Sequence, residues 1–528
     1  MRTRTPSNSL GRREAGTAPS SGLRRVRPAV VAAAVTVACF VNLGPARAAD
    51  PASVARTTPE RAAELAAAGW WETVLSEVPA MENELGDRWP MIVWHGPGQA
   101  PLPAERIQAL LDRGITQNLT LDTNHIEAAR ALQEAGSKVI FMQGRAGNWP
   151  YSLAPDSSVW AHQFDEGYTY EEAGPGPLGQ WHGACPLQHA GWAVLADQIR
   201  DTLTAFREAG VTVDGLWMDW EGDPYPFNNL FGQLRHCRRC RRQLPPEVLE
   251  EYEAWWDFYW RAYTQLHGAY VAGPAREIFP AIAVTNWHVV FSSRTDPLLY
   301  FVDDRVLPPL APPLFTATNP VAYGNDTWWN RMWRDEEYEL DRRHVDQFYM
   351  HCLLRGVSAD AANRAAYGPQ VMSFPWVTRF CPLESGGDDA VPDMSRAAYR
   401  ECLRHLWLRD IDGMQLFNAR WDGYEEDWVR ELQDAVAVYD EILAHRELLA
   451  AGQAMNLTVP GVQDDGVLWS GLRSDDRAVV RAISQAAEPA QLDLEVWPGV
   501  PVELAAPVTG ATYRIARTDS GCRVAEVR

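Results

Sequence analysis

The sequence predicts an α/β fold: a (β/α)8 TIM barrel followed by a small C-terminal antiparallel β-sandwich. Three observations predict it. Eight short β-rich runs alternate with amphipathic helical stretches over roughly 330 to 360 residues, the pattern of β/α units around a parallel sheet. No Gly-rich phosphate turn follows the first run, where His95-Gly-Pro-Gly98 has the wrong spacing, which disfavours an open doubly wound sheet. After Met455 the texture changes to short alternating runs punctuated by Gly, Pro and Asp.

The expected strands are Pro90–Trp94, Gln117–Leu121, Lys138–Gln143, Val213–Glu221, Ile278–Trp287, Phe315–Tyr323, Val371–Trp376 and Ile411–Asn418. Helical patterns lie between them at Pro103–Arg113, Ile126–Ala135, Trp192–Ala209, Pro246–Val271, Asp335–Arg355 and Ser395–Arg409. A helical lead-in covers Pro59–Gly69, and a long helix over Tyr424–Ala450 closes the barrel. The later runs, among them Gly466–Ser470 and Ala478–Ser484, suit a packing module better than a sugar-binding one. The expected boundaries are an export signal over 1–48, a lead-in over 49–85, the barrel over 86–452 and the sandwich over 453–528.

Charge narrows the function. Across 528 residues, 48 Lys+Arg face 69 Asp+Glu, a formal net charge of −21. Such a field repels nucleic acid and anionic membrane surfaces. The 23 Trp are matched by two uses, core packing and stacking on sugar rings, and packing must take most of them. Arg24, Arg25 and Arg27 precede an apolar run over Ala29–Val41, and Ala46-Arg-Ala48 has the small-x-small form of a cleavage site. The chain is therefore expected to be secreted or extracytoplasmic, beginning near Ala49. No later stretch has the length and apolarity of a membrane span. Without Cys39 the cysteines number seven, an odd set implying a few disulfides and at least one free thiol. Cys237 and Cys240 form a C-x-x-C knuckle suited to a disulfide or a structural zinc, with Cys185 or His236 available to complete a metal site.

Barrel chemistry sits at the C-terminal ends of the strands. Residues suited to gripping a polar substrate stand there: Trp94 and His95 after the first strand, Asp122 after the second, and Gln143 and Arg145 after the third. Asn286 and Trp287 follow the fifth, Asn325 and Asp326 the sixth, and Asn418, Arg420 and Trp421 the eighth. Any one of them also serves as a helix cap or a loop hydrogen bond; their joint placement carries the weight.

The fourth strand is the most informative. Strand side chains alternate, so Gly215, Trp217, Asp219 and Glu221 share one face while Leu216, Met218 and Trp220 take the other. The apolar set belongs against the helices, which directs Asp219 and Glu221 towards the mouth. Two carboxylates so close cannot both ionise freely, so one is pushed towards its protonated form. Glu221, nearer the rim, suits a general acid, and Asp219 suits holding charge. Asp214 is left with a structural role.

Asp214-Gly-Leu-Trp-Met-Asp219-Trp-Glu221 resembles the fourth-strand signature of family 18 chitinases, D-G-x-D-x-D-W-E, and Asp219-Trp-Glu221 resembles the D-W-E of family 56 hyaluronidases. The resemblance implies a (β/α)8 barrel that cleaves glycosidic bonds with retention, the substrate's own 2-acetamido group acting as nucleophile. It makes Glu221 the acid/base and Asp219 the residue that orients the acetamido group. It also implies that Tyr323, near the end of strand six, hydrogen-bonds the acetamido carbonyl, and that Trp421 floors the reacting sugar. Trp217 stands where family 18 has its middle Asp, a departure that hyaluronidases share. The partner expected is a polysaccharide or glycan, and no cofactor is called for. Two other readings remain open at this point. One is a two-carboxylate glycosidase pairing Asp219 or Glu221 with Asp326 or Asp122. The other is a sugar-binding barrel without catalysis.

Overall fold

The computed structural model describes residues 57–94, 102–143, 163–167, 185–218, 234–251, 254–255, 258, 262, 265–286, 316–325, 342–364, 371–381, 394–417, 423–461 and 464–527. The segment expected to be an export signal therefore lies outside the described residues. None of the described helices is long and apolar enough to cross a membrane.

Two lead-in helices, α1 (Pro59–Ala68) and α2 (Trp70–Glu77), open the described chain. Thr58 caps α1 by accepting the Arg61 N–H, and Pro59 occupies the first turn, where its missing N–H costs nothing. Then come β1 (Met91–Val93), α3 (Ala104–Leu111), β2 (Ile115–Gln117), α4 (Ile126–Glu134), β3 (Ile140–Gln143), α5 (His189–Glu208) and β4 (Gly215–Met218). The chain continues with α6 (Arg238–Gln243), α7 (Pro246–Glu250), α8 (Gly273–Ile278), β5 (Ala283–Asn286), β6 (Ala317–Thr318) and β7 (Val321–Asn325). After α9 (Arg342–Arg364) follow β8 (Met372–Ser373), β9 (Trp376–Cys381), α10 (Arg396–Trp407), β10 (Gln415–Leu416), α11 (Glu425–Leu443) and α12 (Arg446–Ala451).

All pairings among these strands are parallel, and neighbour leads to neighbour. β1 pairs with β2, and Leu119, just past β2, bridges Phe141 of β3. β3 pairs with β4 and β4 with β5. Val284 of β5 accepts the Thr316 N–H at 3.2 Å. β6 pairs with β8, β7 with β9, β9 with β10, and β10 returns to β1. The sixth and seventh expected strands are each split in two, at Pro320 and Pro375, because proline supplies no N–H to a ladder. Both run further than expected, to Asn325 and Cys381. β2 begins two residues earlier than expected and ends at Gln117, since its register with β1 (Met91↔Ile115 to Val93↔Gln117) fixes its place.

From Gln453 the pairing becomes antiparallel. β11 (Gln453–Ala454), β12 (Val467–Arg473), β13 (Arg477–Ser484), β16 (Ala511–Thr518) and β17 (Gly521–Val527) form one sheet, and β14 (Ala490–Trp497) with β15 (Val500–Ala506) another. Leu492, Val496, Trp497, Val502, Leu504, Tyr513 and Ile515 fill the space they enclose. A buried polar seam joins this unit to α10. Arg481 Nε and Nη2 donate to the two oxygens of Glu401 at 2.7 and 2.6 Å, with both side chains under a tenth exposed. His405 meets the Ser470 hydroxyl at 2.9 Å.

Tryptophan serves the core as expected. Trp70 stacks on Trp428 of α11 at 4.3 Å, and Trp407 of α10 lies parallel to Tyr439 of α11 at 4.4 Å.

Candidate active site

β3, β4 and β5 end level with one another. Gln143, Met218 and Asn286 are mutual register partners, so the chain leaves all three strands along one edge, and Asp219 is the next residue after Met218. Gln143 and Asn286 thus stand on the two strands flanking the proposed carboxylate segment, as the sequence predicts.

The faces of β4 are fixed by contacts. Leu216 is level with Phe141, whose ring packs on Phe206 of α5 at 4.8 Å, so that face meets the helices. Trp217 takes the opposite face. Its ring lies 5.0 Å from Phe374, between β8 and β9, and 6.3 Å from Trp89, ahead of β1. These are strands far from β4 in the pairing order, so Trp217 reaches across the interior. Trp89 and Phe374 close the triangle at 4.9 Å. Glycine makes room for this layer. A Cβ on Gly215 would lie 2.1 Å from the Trp217 ring, and one on Gly413 would lie 2.7 Å from Phe374. The alternation expected for Gly215 and Trp217 therefore holds. Trp217 in place of a middle aspartate is a packing residue, 1% exposed.

Asp214 belongs to the other end of the strand. Its carboxylate accepts the Val139 N–H at 2.9 Å and pairs with Lys138 at 3.2 Å, whose ammonium sits over the Trp89 ring. It stands four residues before Met218, roughly 13 Å along an extended strand. Asp214 thus ties β3 to β4.

Asp219 and Glu221, with His95, Arg145, Trp287, Asp326, Asn418, Arg420 and Trp421, lie outside the described residues. Gln143, Asn286, Tyr323 and Asn325 are described by backbone alone; Tyr323 is level with Thr378 of β9. Trp94 donates its N–H to Leu416 O at 2.9 Å and packs on Phe417 at 4.9 Å, at the rim beside β10. Asp122 lies beyond the end of β2 and accepts the Asn124 N–H at 2.8 Å, capping the short helix that leads into α4. The helix-cap use is the one its geometry realises.

Strand-end reasoning passed over three buried amides. Gln117, Asn118 and Gln415 each carry a side-chain atom with no hydrogen-bond partner, and in Gln415 both atoms lack one. Buried polar groups are normally satisfied by protein, water or ligand. Polar residues inside an apolar strand pattern were the available signal.

Two features with unusual chemistry lie elsewhere. Arg379 of β9 donates to Asp427 at 3.0 Å and, through its backbone N–H, to Glu431 at 2.7 Å. Burial pushes the Glu431 carboxyl up to about 7. Both carboxylates come from α11, so the cluster lies between β9 and that helix. A cavity of about 590 Å³ opens between α9, α10 and the β-domain, lined by Asp346, Gln347, Arg400, Glu401 and Gln485.

Cys237 and Cys240 are buried thiols, and the third member of their group is Cys185. His236, the other candidate partner, is exposed. The five described cysteines with side-chain positions, Cys185, Cys237, Cys240, Cys402 and Cys522, form no disulfide among themselves, so of the two uses expected of the knuckle, disulfide or structural zinc, the disulfide is not made. The adjacent Cys185 and Cys237 thiols and burial raise the Cys240 pKa far above the ordinary thiol range.

No family model and no curated protein matches the chain. Solved structures do. The cyclic α-maltosyl-(1→6)-maltose hydrolase from Arthrobacter globiformis aligns over 90% of this chain and 97% of its own, at 12% identity and a TM-score of 0.38. An Anoxybacillus α-amylase aligns over 79% and 91% at 12% identity and 0.40, and the α-amylase from Geobacillus thermoleovorans over 85% and 99% at 11% and 0.40. Identities and TM-scores this low assign neither family nor activity, and the chitinase- and hyaluronidase-like reading of β4 gains nothing from them.

Proposed function

We propose that the chain is a glycoside hydrolase that cleaves a polysaccharide or glycan containing N-acetylhexosamine. The ring of parallel strands is its (β/α)8 barrel, and the edge where β3, β4 and β5 end is its active face. One observation carries the reading: Trp217 points into the interior at the end of β4, and Asp219 and Glu221 follow it at intervals of two, the period of an extended strand. Carried on past Met218, the same alternation would put the pair on the substrate side, which supports the reading.

Glu221 is the general acid. Its carboxyl proton passes to the glycosidic oxygen as the acetamido carbonyl oxygen of the substrate attacks the anomeric carbon, which closes a cyclic intermediate and releases the leaving sugar. Glu221, now ionised, then takes a proton from water, which opens the intermediate with overall retention; one water is consumed per bond cut. Asp219 orients the acetamido group and balances the charge that develops on it, and Tyr323 donates to the carbonyl. In this reading Gln143 and Asn286, on the strands flanking β4, hold sugar hydroxyls, and Trp94 and Trp421 stack on sugar faces.

Glu221→Gln removes the transferable proton and keeps the shape. Turnover on hyaluronan, chitin or N-glycan substrates is expected to fall by about 10²- to 10⁴-fold with binding retained. A thiazoline mimic of the cyclic intermediate is expected to inhibit the wild-type protein competitively. A variant turning over near the wild-type rate ends the assignment of Glu221.

A further inference from the structure

Cys185 meets the Cys237–Cys240 knuckle, which begins 52 positions later in the sequence, in one buried pocket. Cys185 precedes α5, in the connection that follows β3; Cys237 and Cys240 flank the start of α6, in the connection that follows β4. All three are fully buried, and their sulfurs lie within 4.8 Å of one another, Cys185 and Cys240 at 3.7 Å. Zinc bound to thiolates at about 2.3 Å in a tetrahedron sets its sulfurs about 3.8 Å apart. The 3.7 Å edge has that length. A disulfide would instead need the two sulfurs drawn in to about 2.05 Å, and it would leave the Cys237 thiol unused in the same pocket.

The surroundings suit thiolates. The Gln163 backbone N–H donates to Cys237 Sγ at 3.3 Å, the kind of outer contact that orients a ligand sulfur. Phe164 bridges Cys237, and the Arg238 N–H donates to Gln163 O at 2.7 Å, so the segment around residue 164 is laid along the knuckle. Arg241 grips the Asp165 carboxylate through both terminal nitrogens and fixes that segment from the other side. Arg235, Arg238, Arg239, Arg241 and Arg242 crowd the same stretch and offset the charge that three thiolates would bring.

We propose that Cys185, Cys237 and Cys240 are three ligands of a structural zinc ion that staples the connection after β3 to the connection after β4. Binding exchanges the thiol protons for the metal, and no redox step is involved. The role is structural: an all-thiolate set shut away from solvent is the donor chemistry of closed zinc sites, which hold loops, and a fourth ligand beyond these three completes the tetrahedron. The proposal stands apart from the glycosidase reading, because it concerns the loops that frame the strand edge and not the carboxylates.

The test uses the full chain, produced with zinc in the medium and purified without chelator. Elemental analysis is expected to find about one zinc per chain, falling below about a tenth in the C237S/C240S double variant and unchanged in C402S and C522S. Should the double variant fail to fold, the wild-type chain stripped with chelator and titrated with Co(II) decides the matter. Saturation at about one equivalent, with thiolate-to-cobalt charge-transfer absorption and tetrahedral d–d bands, supports the site. Peptide mapping that finds Cys185 and Cys240 joined as a disulfide in the native chain, zinc unaltered in the double variant, or no charge-transfer band with cobalt overturns it.

Discussion

Gly215→Ala adds a single methyl to the interior face of β4. The new carbon would lie 2.1 Å from one atom of the Trp217 ring and 3.0 Å from two more. The ring has no free space to retreat into, being 1% exposed and held between Phe374 and Trp89. Overpacking a tight core costs about 1 to 3 kcal/mol, and the closeness of this contact argues for the upper end. Trp217→Leu removes the ring and leaves a void; truncating a buried Trp to Ala costs about 3 to 5 kcal/mol, so the leucine should cost somewhat less. In the double variant the alanine methyl enters the vacated space. The combined loss is then expected to fall short of the sum of the single losses by about 1 to 3 kcal/mol. Urea denaturation of the four proteins, followed by far-ultraviolet circular dichroism, measures the cycle. Losses that add to within about 0.5 kcal/mol would mean that Gly215 and Trp217 share no space, and the inward assignment of Asp219 and Glu221 would go with it.

Two further outcomes follow from buried charges. Glu431 is held up at about 7 against an ordinary 4.5, so between those values the native chain binds a proton that the unfolded chain has lost, and stability falls as pH rises through that window. Glu431→Gln keeps a neutral group at every pH, so its stability relative to wild type should climb from pH 4.5 to 7; a flat difference across that window refutes the burial of an ionisable Glu431. Arg481→Met removes the closest partner of Glu401 and leaves it Arg404 at 3.1 Å and His405 at 3.3 Å, so the loss is expected to fall below the about 3 to 5 kcal/mol of a fully stranded buried charge. Glu401→Gln in the same chain removes the under-compensated charge and should recover part of that loss, whereas equal instability of the single and double variants in urea would show that the pair contributes packing alone.

The sequence was legible where a short-range period decides the outcome. Gly215 and Trp217 share a face because every second residue of a strand does, and this assigned the interior face of β4 correctly. It was less legible where distant partners decide. β2 sits at Ile115–Gln117 because β1 pairs with it there, although the β-branched and apolar residues run on to Leu121. The described part of α9, Arg342–Arg364, runs past the expected end at Arg355, where Asp360 and Arg364 form a buried pair one turn apart and bind Thr318, Ser373 and the Val371 carbonyl. The long helix expected over Tyr424–Ala450 breaks into α11 and α12 between Leu443 and Arg446. Of the two residues offered to complete the C-x-x-C knuckle, only the fold distinguishes Cys185, 52 positions upstream and buried, from the adjacent, exposed His236. A polar residue inside an apolar run singles out Gln415, but that its buried amide has both ends unmet depends on what surrounds it across the strands.

The layer of Trp89, Trp217 and Phe374 also governs traffic. In the barrel proposed above it is a solid plug across the axis, so a polymer cannot thread from one end to the other, and everything that enters leaves by the same door. Such an architecture suits a chain lying across the rim as in an open trough. It also makes clearance of the cut ends, and not passage through a tunnel, the step that readies the protein for its next encounter.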